Sequence, residues 1–270
     1  MDAAAAVRYL PRMPIEAMRG PQLLTRLAEV RQDGDAVATD GDNTLWRGDI
    51  GQAMFDRARE QEALAPSVAP ALMSEAKKHG IALAGVDTQD PHAVASALND
   101  ALQAGTYPGR EAYAMMAWCF AGYTPERMRA FAEATLDAFG FADAVFSHVP
   151  ALIDFCRERG HAFWLVSASP APIVRAAAKR LGVPEEQAVG MEPDVVDGCL
   201  VPRLSSEPTY AEGKVRRLRM RTDAPLLAGC GDSLYDAALI AEARVQVGVD
   251  PSDALRAELE QMPRAVAVEI

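Results

Sequence analysis

The sequence predicts an α/β protein whose parallel sheet is covered by helices on both faces and interrupted by one long all-helical segment. Short apolar runs with β-branched residues recur at 36–39 (AVAT), 162–166 (AFWLV), 187–191 (QAVGM), 226–229 (LLAG) and 245–249 (VQVGV). From 162 onward helical patterns separate these runs, the alternation expected of parallel strands joined by crossover helices. Between Asp49 and about residue 145 the strand signals nearly vanish. A third observation is VVDGCLVP at 195–202, where Asp-Gly between apolar pairs predicts a small hairpin.

In chain order, the N-terminal MDAAAAVRYLPRMP has an alanine run but neither a basic leader nor a long apolar core. It reads as no signal peptide, so a cytoplasmic location is expected. AVAT is the first strand and stops at Asp40. FDRAREQEAL, VAPALMSEAKKHG, PHAVASALNDALQAG, REAYAMMAWCFAG and TPERMRAFAEATLDAFG then carry helical spacing. Thr124-Pro125-Glu126 is a helix start: a capping hydroxyl, a proline where no N–H is needed, and an acid at the positive end of the dipole. The division expected is a core of 1–48 and 145–270 with a helical cap of 49–144.

Composition excludes several classes. Half of the 270 residues are apolar, but charge breaks every apolar run well before the roughly 18 residues of a membrane span. A net charge of −11 without a basic block argues against a nucleic-acid surface. The four cysteines (Cys119, Cys156, Cys199, Cys230) form no CxxC pair and read as reduced, structural thiols. His79, His92, His148 and His161 share no metal-ligand spacing. Nothing in the sequence specifies an oligomeric state.

The chemistry concentrates where strands end. Ligands of open α/β sheets bind outside the carboxyl ends of the strands. Asp40 and Asp42 follow the first strand, Ser167 follows FWLV, and Asp232 follows LLAGCG with Asp236 a helical turn beyond. Gathering Asp40, Asp42, Asp232 and Asp236 would cost on the order of 4 kcal/mol per close pair at an effective dielectric near 20. A divalent cation removes that penalty. Mg2+ suits the set, because it takes hard oxygen ligands from one or two carboxylates and keeps positions for water and a substrate phosphate. Lys214 in TYAEGKVRRL would add a fixed positive charge. Ser167 and the amides opening the helix near Ala171-Pro172 favour phosphate oxygens.

DGDNT (40–44) after an apolar strand, VSAS (166–169), Lys214 and GDSLYD (231–236) resemble, in order, the motifs of the haloacid dehalogenase (HAD) superfamily of hydrolases. The helical insertion, the DNTLW continuation, the hairpin and the EGK context are similar to its phosphoserine phosphatase group, phosphocholine phosphatase-like members included. The resemblance implies a Rossmann-like, HAD-like core and a phosphoric monoester hydrolase using an aspartyl-phosphate. Asp40 would attack phosphorus and Asp42 would move the proton. Asp40, the main-chain carbonyl of Asp42, and Asp232 would bind Mg2+, with Asp236 holding its water shell. Ser167, Lys214 and amides near Asp42 and Ala168 would carry the phosphoryl charge. Haloacid dehalogenases proper lack the second aspartate, and a phosphonatase would need a Schiff-base lysine from the cap, where Lys77 and Lys78 sit at a helix end. A phosphotransferase on the same fold and a non-catalytic ligand-binding member remain alternatives.

The substrate expected is a small-molecule phosphate ester, favoured to carry an amine, as in phosphoserine, phosphocholine or phosphoethanolamine. Asp49, nine residues past Asp40, matches an acid that contacts the amino group in that phosphatase group, and it equally suits a helix N-cap. Trp46, Phe55, Tyr107, Tyr113, Trp118, Phe120 and Tyr123 offer aromatic faces to an ammonium or form the cap's core. Arg57, Arg59 and Arg110 are the candidates to read a carboxylate.

Overall fold

The computed structural model describes residues 15–270, so MDAAAAVRYLPRMP lies outside the described residues. β1 (Glu16–Met18) and α1 (Gly20–Val30) lead into β2 (Ala36–Thr39). Then come α2 (Ile50–Glu60), α3 (Ala69–Lys78), α4 (Pro91–Gln103), α5 (Gly109–Trp118), α6 (Pro125–Phe139) and α7 (Phe141–Ala144), with no strand among them. α8 (Val149–Glu158), β3 (Ala162–Pro170), α9 (Ala171–Arg180) and β4 (Ala188–Met191) follow, then the hairpin β5 (Pro193–Val196) and β6 (Cys199–Leu204). The chain closes with α10 (Glu212–Arg219), β7 (Leu226–Gly231), α11 (Ala237–Ala241), β8 (Ala243–Val249), α12 (Asp253–Leu259) and β9 (Ala265–Val268).

The main sheet runs β1-β9-β8-β7-β2-β3-β4, with every pair parallel. Its strands read as near-continuous apolar runs because helices cover both faces. Side chains alternate between those faces. Val37, Phe163 and Leu165 join the cluster that extends into the helical segment, while Ala36, Ala38, Trp164 and Val166 meet Leu218 and Leu239 on the other side. Among the described residues no helix is long and apolar enough to cross a membrane.

The helical segment starts its helices with side-chain caps. Asp49 accepts from Gln52 N–H at 2.8 Å, Asp90 from His92 N–H at 2.9 Å, and Thr124 from Arg127 N–H at 3.2 Å. Each such cap is worth about 1 kcal/mol. α6 packs on α9, and α5 packs on β3 and β6. The predicted hairpin forms, with Asp197 (φ 50°) and Gly198 (φ 78°) both left-handed, as the tight two-residue turn requires. Leu200 N–H donates to Tyr123 O at 2.8 Å and tethers the hairpin to the helical segment.

The sequence reading missed β1 and β9, which pair with each other at one side of the sheet. β1 has three residues and starts on a glutamate, too little for a period to register. AFWLV also continues through Ser167, Ala168 and Ser169 to Pro170. The serines end the apolar pattern without ending the extended backbone, and Pro170 still pairs with Met191.

Candidate active site

β2 lies between β7 and β3, so the residues following these three strands meet at one place on the carboxyl edge. Asp40 continues β2, its N–H donating to Cys230 O of β7 at 2.9 Å. Asn43 takes a left-handed φ of 57°, a conformation that asparagine tolerates, and the turn returns Thr44 toward the strand end. Thr44 is fully buried, with its hydroxyl 3.4 Å from Asp40 Oδ2 and 3.2 Å from Asp232 Oδ1.

Asp40, Asp232 and Asp236 each bring a carboxylate oxygen within 4.8 Å of the others. Lys214, on the first turn of α10, donates from Nζ to Oδ1 of both Asp40 and Asp236. The second oxygen of Asp236 accepts from Ser233 N–H at 3.1 Å and Ser233 Oγ at 2.8 Å. Asp236 is thereby satisfied by protein donors, whereas Asp40 Oδ2 and Asp232 Oδ1 share one hydroxyl. Burial drives the Asp40 pKa well above the ordinary carboxylate range; Lys214 opposes this, and the charges of Asp236, Asp42 and Asp232 add to it. Burial and the Asp236 charge push Asp232 up to about 6. Burial works against the charge on Lys214, but Asp236 and Asp40 outweigh it and raise its pKa.

This donor set fits Mg2+. Two carboxylates with hard oxygens face each other, crowded and short of compensating donors, while a third is already anchored by protein groups. The Asp42 side chain is not part of the group, so any contribution to a metal rests on its main-chain carbonyl.

Asp42 instead occupies a hydrogen-bonded socket. Oδ1 accepts from Trp46 Nε1 at 2.9 Å and from Ile50 N–H at 2.8 Å, the first residue of α2. Oδ2 accepts from Ser169 Oγ at 2.7 Å and Ser167 Oγ at 3.3 Å. Burial raises the Asp42 pKa, and the bonds from Ile50, Ser169 and Trp46 pull against it. The socket therefore holds the carboxyl in place with four donors while burial opposes its charge.

A cleft of about 170 Å³ opens above these residues, lined by Asp40, Asp42, Asn43, Asp49, Tyr113, Ala168, Ser169, Tyr210, Lys214, Asp232, Ser233 and Tyr235. Asp49 sits in its wall and serves as the N-cap of α2; burial and the Asp42 charge push its pKa up to about 7. Trp46, expected to contact substrate, is fully buried and lines no part of the cleft. Its indole is spent on Asp42, with its ring edge-on to Phe141 at 5.0 Å. Ser167 is fully buried beneath Ala168 and Ser169, its hydroxyl accepting from Ser169 N–H at 3.0 Å. The hydroxyl reaching the cleft is that of Ser169. Ser169 lies two residues on from Ser167 and so shares its strand face, a signal the sequence did contain.

Of the aromatic candidates, only Tyr113 reaches the cleft. Phe55, Tyr107, Trp118, Phe120 and Tyr123 pack in the core of the helical segment. Tyr210 and Tyr235, unforeseen, complete the wall. Arg59 is bound by Asp56 and Ser96, Arg110 lies beside Glu207, and Arg57 stands over Phe131. None of the three lines the cleft.

Comparison with known proteins agrees with this architecture. A putative hydrolase of Mycobacterium leprae is 28% identical over 140 residues, which is 50% of this chain and 46% of that protein, so the chain matches less than half of its relative's length. A protein of unknown function from Bordetella pertussis Tohama I superposes with a TM-score of 0.63 at 20% identity, covering 87% of this chain and 97% of the other. A probable phosphoserine phosphatase from Vibrio cholerae, in unliganded form, shares the fold at a TM-score of 0.53 and 13% identity, over 91% and 67% of the two chains. The family model for haloacid dehalogenase-like hydrolases matches residues 37–241, from β2 past the last acidic motif. The chain therefore belongs to the haloacid dehalogenase-like hydrolase family.

Proposed function

We propose that this protein is a Mg2+-dependent phosphomonoesterase that acts on a small-molecule phosphate ester, an amine-bearing one favoured, through an aspartyl-phosphate. The observation that carries the reading is the floor of the cleft, where Asp40 and Asp232 face each other beside Lys214. Lys214 fixes one oxygen of Asp40 and orients the carboxylate for in-line attack on phosphorus. The P–O bond to the leaving group breaks as the Asp40–phosphorus bond forms, and Asp42 gives its proton to the departing alkoxide oxygen. Asp42 then takes a proton from the water that attacks phosphorus and frees Asp40. Lys214, the amide of Ala168 and the Ser169 hydroxyl balance charge on the phosphoryl oxygens, with Ser167 holding Ser169 and Asp42 in place. When bound between Asp40 and Asp232, Mg2+ would supply positive charge to neutralise the carboxylates and the phosphoryl group.

In this reading residues 49–144 act as a cap over a core of 1–48 and 145–270, excluding water and presenting the groups that select the leaving group. The test is phosphate release with Mg2+ by wild type and Asp40→Asn across phosphocholine, phosphoserine, phosphoethanolamine, sugar phosphates and an aryl phosphate. Release by wild type that falls to background in the variant is expected. A wild type that binds Mg2+ yet releases nothing from any ester overturns the reading.

A further inference from the structure

Resting on the phosphatase reading, the geometry points to Tyr113, Tyr210 and Tyr235, with Asp49, as the subsite for a leaving group that carries an ammonium and no carboxylate. The three tyrosines come from separate parts of the chain: α5, the loop before α10, and the turn after β7. The ring centroids of Tyr113 and Tyr210 lie 6.0 Å apart and those of Tyr210 and Tyr235 4.6 Å apart, with planes tilted by 33° and 34°. They form a continuous aromatic wall from the helical segment to the core, and all three line the cleft that contains Asp40. Gly109 makes this possible. A Cβ there would lie 2.9 Å from the Tyr210 hydroxyl oxygen and 3.7 Å from Tyr113 Cε2, so a side chain at 109 would push the tip of the Tyr210 ring out of its present position.

Charge decides what such a wall receives. Among the described residues, Asp40, Asp42, Asp49 and Asp232 line the cleft against one cation, Lys214, which Asp40 and Asp236 already hold. Mg2+, if bound, and the substrate's phosphate would approximately cancel one another, which leaves carboxyl groups in excess of cations at the leaving-group end. Ring faces are negative too, and attract ammonium groups within about 6 Å of the centroid. Among the described residues no arginine lines the cleft to meet a carboxylate on the leaving group; Arg57, Arg59 and Arg110 all lie outside it. The fold is shared with phosphoserine phosphatases, but among the described residues this cleft presents no second cation to a serine carboxylate.

The test is calorimetric binding to the Asp40→Asn protein with Mg2+, which needs no turnover. The ligands are phosphocholine, its neutral isostere 3,3-dimethylbutyl phosphate, phosphoethanolamine and phosphoserine. Phosphocholine should bind about tenfold or more tightly than the isostere, the sum of modest ring contributions, and phosphoserine most weakly. The choline and ethanolamine esters, compared, tell a methylated from a primary ammonium. Tyr113→Leu should bring the ratio of phosphocholine to isostere near one. Tyr235→Leu should shrink it in a residue that is half exposed and perturbs folding least. Equal binding of phosphocholine and isostere, or preference for phosphoserine, overturns the inference while leaving the phosphatase reading intact. Absent phosphate release from every ester overturns only the phosphatase reading.

Discussion

Replacing Gly51 by alanine sets two effects of known size against each other. Alanine is favoured over glycine in a helix by at most about 1 kcal/mol, and by less in the first turn, where Gly51 stands. Its Cβ would lie 2.4 Å from Ser169 Oγ, 3.0 Å from Ser169 Cβ and 3.2 Å from Pro170 Cδ. Ser169 cannot swing aside at no cost, since it is 3% exposed and its hydroxyl donates to Asp42 at 2.7 Å. Overpacking of this kind costs about 1–3 kcal/mol, and losing a hydrogen bond to a charged acceptor costs about 1.5–3 kcal/mol more if Ser169 is expelled. The clash outweighs the helix gain. Gly51→Ala should therefore lower the melting temperature, by about 2–4 °C per kcal/mol in a chain of this size. It should also lower kcat/KM by about tenfold or more, because α2 and Ser169 both hold Asp42. Thermal melting and steady-state phosphate release measure the two. A variant that melts higher and turns over as fast as wild type would refute the packing of α2 against β3 described here.

Three further outcomes follow from the same contacts. Trp46→Phe keeps the ring against Phe141 but removes the N–H that reaches Asp42 at 2.9 Å; kcat should fall about tenfold with little change in KM, as steady-state kinetics will show. Lys214→Met leaves Asp40 and Asp236 buried without their shared cation, so metal-free protein should lose about 3–5 kcal/mol in denaturant titrations at pH 8 and recover part of it on adding Mg2+. For Asp49 the sign runs opposite to that of a salt-bridged acid. Its pKa is raised from 3.8 to about 7, so the unfolded chain ionises first and the folded state loses stability as pH climbs through that window. Asp49→Asn keeps an N-cap acceptor for Gln52, and its stability gain, about 1–2 kcal/mol after discounting partial exposure, should be largest above pH 7 and vanish near pH 4. A gain that does not vary with pH would mean Asp49 titrates normally.

Where the sequence was legible, a local rule and a chemical need coincided. Asp40, Asp42, Ser167 and Asp232 could be placed together because three strand ends on one parallel sheet must share an edge, and because that many charges have no structural use there; Lys214, on α10, was placed by its position in the resembled motif order. Trp46 misled for the opposite reason. Four residues from Asp42, it reads as spare aromatic surface, and only the turn through Asn43 folds its indole back onto the carboxylate. Tyr210 and Tyr235 carried no signal at all, because the wall exists only once α5, the loop before α10 and the turn after β7 have been brought together by the fold.

The electrostatics of the cleft connect these points. Asp40 and Asp232 are held above their ordinary pKa by burial and by neighbouring charge, against a single lysine. A sheet edge with no function would not gather them, since each close pair costs on the order of 4 kcal/mol. The free protein therefore carries repulsion that binding removes, and any ligand that neutralises the floor must also stabilise the fold through linkage. Mg2+ should raise the melting temperature more at pH 8 than at pH 5, because at the lower pH protons already occupy part of the site that the metal would otherwise neutralise.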